Sequence, residues 1–277
     1  MSRSFNDKVI WITGASSGIG EALAYEFAKL GSKLILSSRN EQELNRVRNN
    51  CSDFEQNVFV LPLDLCSSGQ LDSKAHTAVQ KWGLIDYVIH NAGIASRALI
   101  HDTDMDIYRT VMETNFFGPI AITKAILPYM LEKNKGHFVV ISSLSGEYGV
   151  PKLSAYASAK HALHGFFESL RAEMVNCKIK VSIIIPGFIN TAIINNALDG
   201  KGNQLGRNMG VNEKGMSPRV CAQKIINAIS GQKKEALIGR SEMLTVYFHR
   251  FFPGMFSRFI SNQPVKRLKR FLPFFFK

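Results

Sequence analysis

Short apolar runs alternate with longer stretches in which apolar side chains return every three or four positions. The runs predict strands over residues 8–13, 33–37, 58–63, 85–90, 137–142, 180–185 and 236–238. Between them, the periodic stretches predict helices over residues 18–30, 41–50, 68–82, 105–133, 156–176 and 218–230, the fourth interrupted by Pro119. Runs such as VIHNAG and VSIIIPG are apolar at consecutive positions, which suits strands covered on both faces. Strands alternating with helices imply parallel strands joined by crossover helices. The pattern predicts an α/β doubly wound parallel sheet of the Rossmann kind, with about seven strands and helices on both faces. Residues 1–240 are expected to form this domain, and residues 241–277 a C-terminal extension of different character.

The stretch from 187 to 216 is rich in Asn and Gly and longer than an ordinary connection. It ends at Ser217 and Pro218, an N-cap followed by proline at the first helical position. This reads as a lid over a substrate rather than a domain boundary. Its Phe188, Ile189, Ala192, Ile193, Ile194 and Leu198 suit an apolar substrate, although the same residues would also pack a helix.

Chemistry enters first at the turn after the first strand, in VIWITGASSGIGEALAYEFAKLG. Gly14 permits a tight turn, Gly18 lets backbone amides approach a pyrophosphate, and Gly20 lets the following helix pack close. Ser16, Ser17 and Ile19 complete the loop, whose helix N-terminus offers unpaired N–H groups to phosphates. A dinucleotide site usually holds the ribose 2′-hydroxyl with an acid at the end of the second strand. Here that strand ends in Ser38 followed by Arg39, an arrangement suited to a 2′-phosphate, so NADP(H) is expected. Asp64 and Leu65 follow the third strand, where they meet the adenine edge.

A second constellation lies in ISSLSGEYGVPKLSAYASAKHAL. Tyr156 and Lys160 stand four apart on a helix and project from one face. Ser143 ends the preceding strand and reaches the same point. A free phenol titrates near 10, and a neighbouring ammonium is expected to lower that value. Tyr156 would then exchange a proton with an oxygen that alternates between carbonyl and alcohol.

Together these segments resemble the short-chain dehydrogenase/reductase family over roughly residues 6–240, most of all its dehydrogenase/reductase member-7-like and hydroxysteroid-dehydrogenase-like branches. The stretch from Thr13 to Gly20 matches the family's glycine loop, HNAGIA supplies Asn91, Ala92 and Gly93, NFFG supplies Asn115, and PGFINT supplies Pro186, Gly187 and Thr191. The resemblance implies a catalytic set of Asn115, Ser143, Tyr156 and Lys160. It implies that Ser143 orients the substrate oxygen, Tyr156 transfers the proton, and Lys160 also binds the nicotinamide ribose. It also implies that Asn115 holds a relay water, while Ile189 and Thr191 meet the nicotinamide. Relatives act on steroids, retinoids and long-chain keto-lipids and are commonly oligomers, so a hydrophobic small-molecule substrate and a homo-oligomer are expected. A non-catalytic NADP-binding sensor or membrane-associated scaffold is the alternative. His90 departs from the family pattern, which often has Asn there.

Charge and composition change the picture mainly at the C-terminus. Lys and Arg number 34 against 22 acids, a net charge of +12. From residue 241 on, seven cations face the single acid Glu242, so half the excess sits there. Met243, Leu244, Tyr247, Phe248, Phe251, Phe252, Met255, Phe256, Phe259 and Ile260 recur in pairs every four residues, a broad apolar stripe that Pro253 and Gly254 must kink or break. Lys266, Arg267, Lys269 and Arg270 follow, then FLPFFFK. A peripheral membrane contact is favoured for this extension. Packing on the core or on a partner subunit comes next, and nucleic acid last, for want of an accompanying binding motif. No run of about 18 apolar residues occurs, and the first strand begins too early for a signal peptide, so a cytoplasmic protein, peripheral on a membrane, is expected. Cys51, Cys66, Cys177 and Cys221 show no metal-ligand spacing, and His161 and His164 read as packing or surface residues. Asp102, Asp104 and Asp106 alternate like a calcium loop but lack its Gly and distal Glu, so no metal site is expected.

Overall fold

Successive residues of the first strand point to opposite faces, and both faces are covered. In β1 (Val9–Thr13), Val9 and Trp11 join one buried apolar cluster while Ile10 and Ile12 join the other. The structure, a computed structural model, describes residues 5–206 and 215–261. β2 (Lys33–Ser37), β3 (Val58–Val60), β4 (Tyr87–His90), β5 (Gly136–Ile141), β6 (Ile179–Pro186) and β7 (Glu235–Ile238) complete a parallel sheet in the order β3-β2-β1-β4-β5-β6-β7.

The Ile10 face is covered by α1 (Gly18–Lys29), α2 (Glu41–Asn49) and α7 (Pro218–Ser230), the Trp11 face by α3 (Ser68–Trp82), α5 (Gly118–Glu132) and α6 (Ser154–Glu173). Each fully buried Leu, Ile or Phe side chain contributes roughly 1.5–3 kcal/mol over its exposed state. The polar edge of Trp11 is satisfied too: its indole N–H donates to Ser37 Oγ at 2.9 Å, and that hydroxyl donates to the Leu61 carbonyl at 2.7 Å. Strand order reverses between β1 and β4, and ligands of open α/β sheets bind at the carboxyl ends of strands at such a point.

Two local departures from the sequence pattern matter. The third strand stops at Val60 because Pro62 has no N–H, although Leu61 and Leu63 still donate to Leu36 and Ser38. The long fourth helix is two helices, α4 (Met105–Met112) and α5, joined by a π turn over Glu113–Phe117. Pro119 therefore sits in the first turn of α5, where its missing N–H costs nothing, and the break lies just upstream.

The stretch from 187 to 206 is tied down rather than open. Met216 exchanges backbone hydrogen bonds with Phe188 and Asn190, and Leu198 does so with Ala95 and Arg97. The Asp102–Asp106 stretch is held by ion pairs: Asp104 meets Lys201 at 2.8 Å and Asp106 meets Arg109 at 2.8 Å.

After β7, the extension forms α8 (Leu244–Phe251) and α9 (Pro253–Ser261), broken at Pro253. The apolar stripe splits. Met243, Val246 and Phe256 are buried in the Trp11-side core, with Phe248, Phe259 and Ile260 packed on it. Leu244, Tyr247, Phe251, Phe252 and Met255 face outward. Lys266, Arg267, Lys269, Arg270 and the final FLPFFFK lie outside the described residues.

Candidate active site

The loop after β1 is shaped by what a side chain would strike. Gly14 has φ +66°, and a Cβ there would lie 2.7 Å from Ala92 Cα; a Cβ on Gly20 would lie 2.3 Å from the Gly14 carbonyl oxygen. Asn91 locks the junction by donating from its amide to the carbonyls of Thr13 and Gly14, each at 3.1 Å. Thr13 Oγ1 in turn accepts from the backbone N–H groups of Asn91 and Ala92. Ser17 caps α1 without using its side chain, and Thr191 packs against Gly18. Such a cradle beside a helix N-terminus fits a dinucleotide pyrophosphate.

Arg46 was not legible as part of this region. It bonds Glu21 at 2.7 Å and the Ser16 carbonyl at 3.2 Å, so the acid in the first turn of α1 is neutralised beside the loop. Burial pushes the Glu21 carboxyl up, but bonds from Arg46 and Tyr25 outweigh it and hold it below the usual range. Ser38 is half-buried at the end of β2, and Arg39 is exposed, with no hydrogen bond or ion pair among the described residues. Asp64 accepts from the Cys66 N–H at 3.0 Å. Leu65 backs onto α5, where Gly118 leaves the room.

At the carboxyl ends of β4 and β5, the residues expected to be catalytic come together. The buried Asn115, in the π turn, accepts from the Ile94 N–H and donates to the Ile94 carbonyl, each at 2.8 Å. Both ends of its amide thus fix the chain after Gly93. A Cβ on Gly93 would lie 3.1 Å from Asn115 Oδ1 and 3.7 Å from Lys160 Nζ, which measures how closely these residues meet. Lys160, 3% exposed, donates to the Ile141 carbonyl at 2.8 Å, and its Nζ lies 5.7 Å from the Tyr156 ring centroid. The Ser143 hydroxyl faces the Tyr156 phenol and acts to lower its pKa.

The electrostatics correct one expectation. Burial pushes the Tyr156 phenol up to about 12, against a smaller lowering by Ser143, so the neighbouring ammonium does not set the balance. Burial likewise pushes the Lys160 ammonium down to about 8. The phenol is therefore protonated at neutral pH, ready to give its proton rather than to take one.

The loop bearing Pro186, Gly187, Ile189 and Thr191 leaves β6 beside this centre. Its backbone is held by the extension: Phe188 N–H donates to Glu242 Oε1 at 3.2 Å, and Glu242 and Met243 lie against Gly187 and Gly239. Tyr148, five residues past Ser143, meets Thr245 Oγ1 at 2.7 Å and stacks edge-on with Phe256. His90 is buried in the core: its Nε2 meets Thr123 Oγ1 at 2.9 Å, and burial lowers its pKa to about 3. Because Thr123 already donates to the Pro119 carbonyl, His90 donates through Nε2 and its Nδ1 has no partner. The departure at His90 thus alters packing and leaves the site intact.

Among known proteins, the family described as short chain dehydrogenase matches residues 8–202. The chain belongs to the short-chain dehydrogenase family. This short-chain dehydrogenase is 36% identical over 271 residues to human dehydrogenase/reductase SDR family member 7, covering 96% of this chain and 80% of that one. It is 38% identical over 266 residues to member 7B of Mus musculus, covering 94% and 82%. A short chain dehydrogenase from Shigella flexneri, solved with NADP, superimposes with a TM-score of 0.76 at 26% identity, covering 86% of this chain and 99% of that one. A family member from Burkholderia phymatum solved with NAD gives 0.80 at 23% identity, covering 94% and 96%. The seven-stranded sheet is thus the family fold, and the family is one of oxidoreductases.

Proposed function

We propose that the protein is an NADP(H)-dependent oxidoreductase that interconverts a carbonyl and an alcohol on a hydrophobic, steroid-, retinoid- or lipid-like substrate. The observation that carries this reading is the meeting of Ser143, Tyr156 and Lys160 beside the glycine cradle. The nicotinamide, when bound, gives or takes the hydride. In the reducing direction Tyr156 donates its proton to the substrate oxygen, and transfer to an alkoxide runs downhill from a phenol. The Ser143 hydroxyl holds the same oxygen, and Lys160 faces the phenolate as it forms. Asn115 holds the backbone of Ile94 in register, which places the floor of the site.

Preference for NADP(H) is supported by the uncharged Ser38 and the exposed, uncommitted Arg39. A hydrophobic substrate is supported by the apolar Phe188, 39% exposed, in the loop after β6, and by the exposed Leu99, Ile100 and Met105 in the stretch after β4. Peripheral attachment to a lipid surface is supported by the outward row of Leu244, Tyr247, Phe251, Phe252 and Met255. No helix among the described residues is long and apolar enough to cross a membrane. The test is NADPH consumption against matched panels of hydrophobic and small polar carbonyls. Turnover of the first panel alone supports the reading; turnover of the polar panel alone overturns the substrate class.

A further inference from the structure

We propose that His164 is a positioning residue for the catalytic serine, its imidazole clasping both ends of the 142–147 segment that carries Ser143. Nε2 lies 2.6 Å from Ser142 Oγ, and Nδ1 lies 3.4 Å from a carboxylate oxygen of Glu147. Burial lowers the imidazole to about 4, helped by His161, Lys160 and Arg171, so the ring is neutral at physiological pH. Nε2 thus shares a hydrogen bond with the Ser142 hydroxyl, and Nδ1 faces the Glu147 side chain.

Two features show that the clasp is built into the fold. The first is the spacing of Tyr156, Lys160 and His164, one turn apart along a single face of α6. These three face successive residues after β5: Lys160 binds the Ile141 carbonyl, His164 binds Ser142, and Tyr156 faces Ser143. The helix stripe that supplies the acid and the ammonium thus also fixes the strand end on which the serine stands. The second is Gly146, where a Cβ would fall 2.6 Å from Ser142 Oγ and 2.9 Å from His164 Nε2. Any side chain there would push the clasp open. Within its own segment Ser143 Oγ accepts from the Ser145 N–H at 3.2 Å, so the segment ends help determine where its hydroxyl points.

This inference rests on the oxidoreductase reading for its kinetic consequence but not for its structural one, and the test separates the two. His164→Ala, His164→Gln and Ser142→Ala would be compared with wild type, with NADPH as the probe. Hydrogen exchange across residues 143–148 should quicken about ten-fold in His164→Ala and Ser142→Ala. The NADPH dissociation constant should stay within about two-fold, because the phosphate cradle lies on another loop. Turnover of a hydrophobic carbonyl should fall up to about 100-fold in kcat with little change in KM, and His164→Gln should recover part of it. Unchanged exchange in both variants overturns the proposal, as does faster exchange spread evenly over all of α6, which marks lost packing alone. If wild type reduces no carbonyl, the exchange result still decides the clasp while the oxidoreductase reading falls.

Discussion

The Lys160 ammonium donates to the Ile141 carbonyl oxygen at 2.8 Å, two residues before Ser143. A buried cation held by one backbone carbonyl is costly, which is why its pKa falls to about 8. Below pH 8 the folded protein must carry that charge. Between pH 8 and the ordinary lysine value the unfolded chain binds more protons than the folded one, so this group's contribution to stability rises with pH.

Lys160→Met should therefore stabilise the protein at pH 7 while removing its activity. The shift corresponds to about 3 kcal/mol, offset by about 1 kcal/mol for the lost bond to Ile141. Thermal denaturation at pH 7 and pH 9.5 checks this. The variant should melt higher at pH 7, and its advantage should shrink at pH 9.5; a variant that is less stable at pH 7 would count against the buried charge.

Gly20→Ala places a methyl 2.3 Å from the Gly14 carbonyl and 2.5 Å from Asn91 Nδ2. Both neighbours belong to the locked junction of β1 and β4 and have little freedom to move. NADPH affinity by fluorescence titration should fall at least about ten-fold, with a loss of about 1–3 kcal/mol in urea unfolding. Gly69→Ala, where nothing lies within 4 Å, is the control and should alter neither.

Arg39→Asp should weaken NADPH much more than NADH, by about 2 kcal/mol or more in the difference between the two. Equal losses would mean that Arg39 does not meet a 2′-phosphate.

The two sides of the extension should respond differently. Phe251→Glu with Phe252→Glu, on the outward face, should reduce sedimentation with anionic liposomes and leave the melting temperature nearly unchanged. Phe256→Glu, at a position 2% exposed, should cost at least about 3 kcal/mol of stability. Liposome binding that survives the double substitution would remove the lipid role from this face.

Much of this was legible in the chain. β1 and the end of β6 announced themselves by consecutive apolar positions, VIWI and IIIP, the mark of a sheet covered on both faces, and the glycine loop fell where strand gives way to helix. Tyr156 and Lys160 could be paired because four residues make about one turn. The π turn around Asn115 was hidden, since one extra residue in a helical turn leaves no mark on periodicity. Nor could spacing reveal that Tyr148 meets Thr245 across 97 positions or that Glu242 holds Phe188 across 54, because those contacts exist only once the sheet has closed. The direction of the Tyr156 shift was misjudged for the same reason. Burial decides it, and burial is a property of the fold.

The most direct test compares wild type with Tyr156→Phe by NADPH titration and NADPH consumption on a hydrophobic carbonyl. The phenylalanine variant should bind NADPH within about two-fold of wild type and lose turnover by at least about 1,000-fold, since only the transferred proton has been removed. Turnover that survives the substitution unaltered would contradict the role assigned to the phenol and with it the proposed reaction.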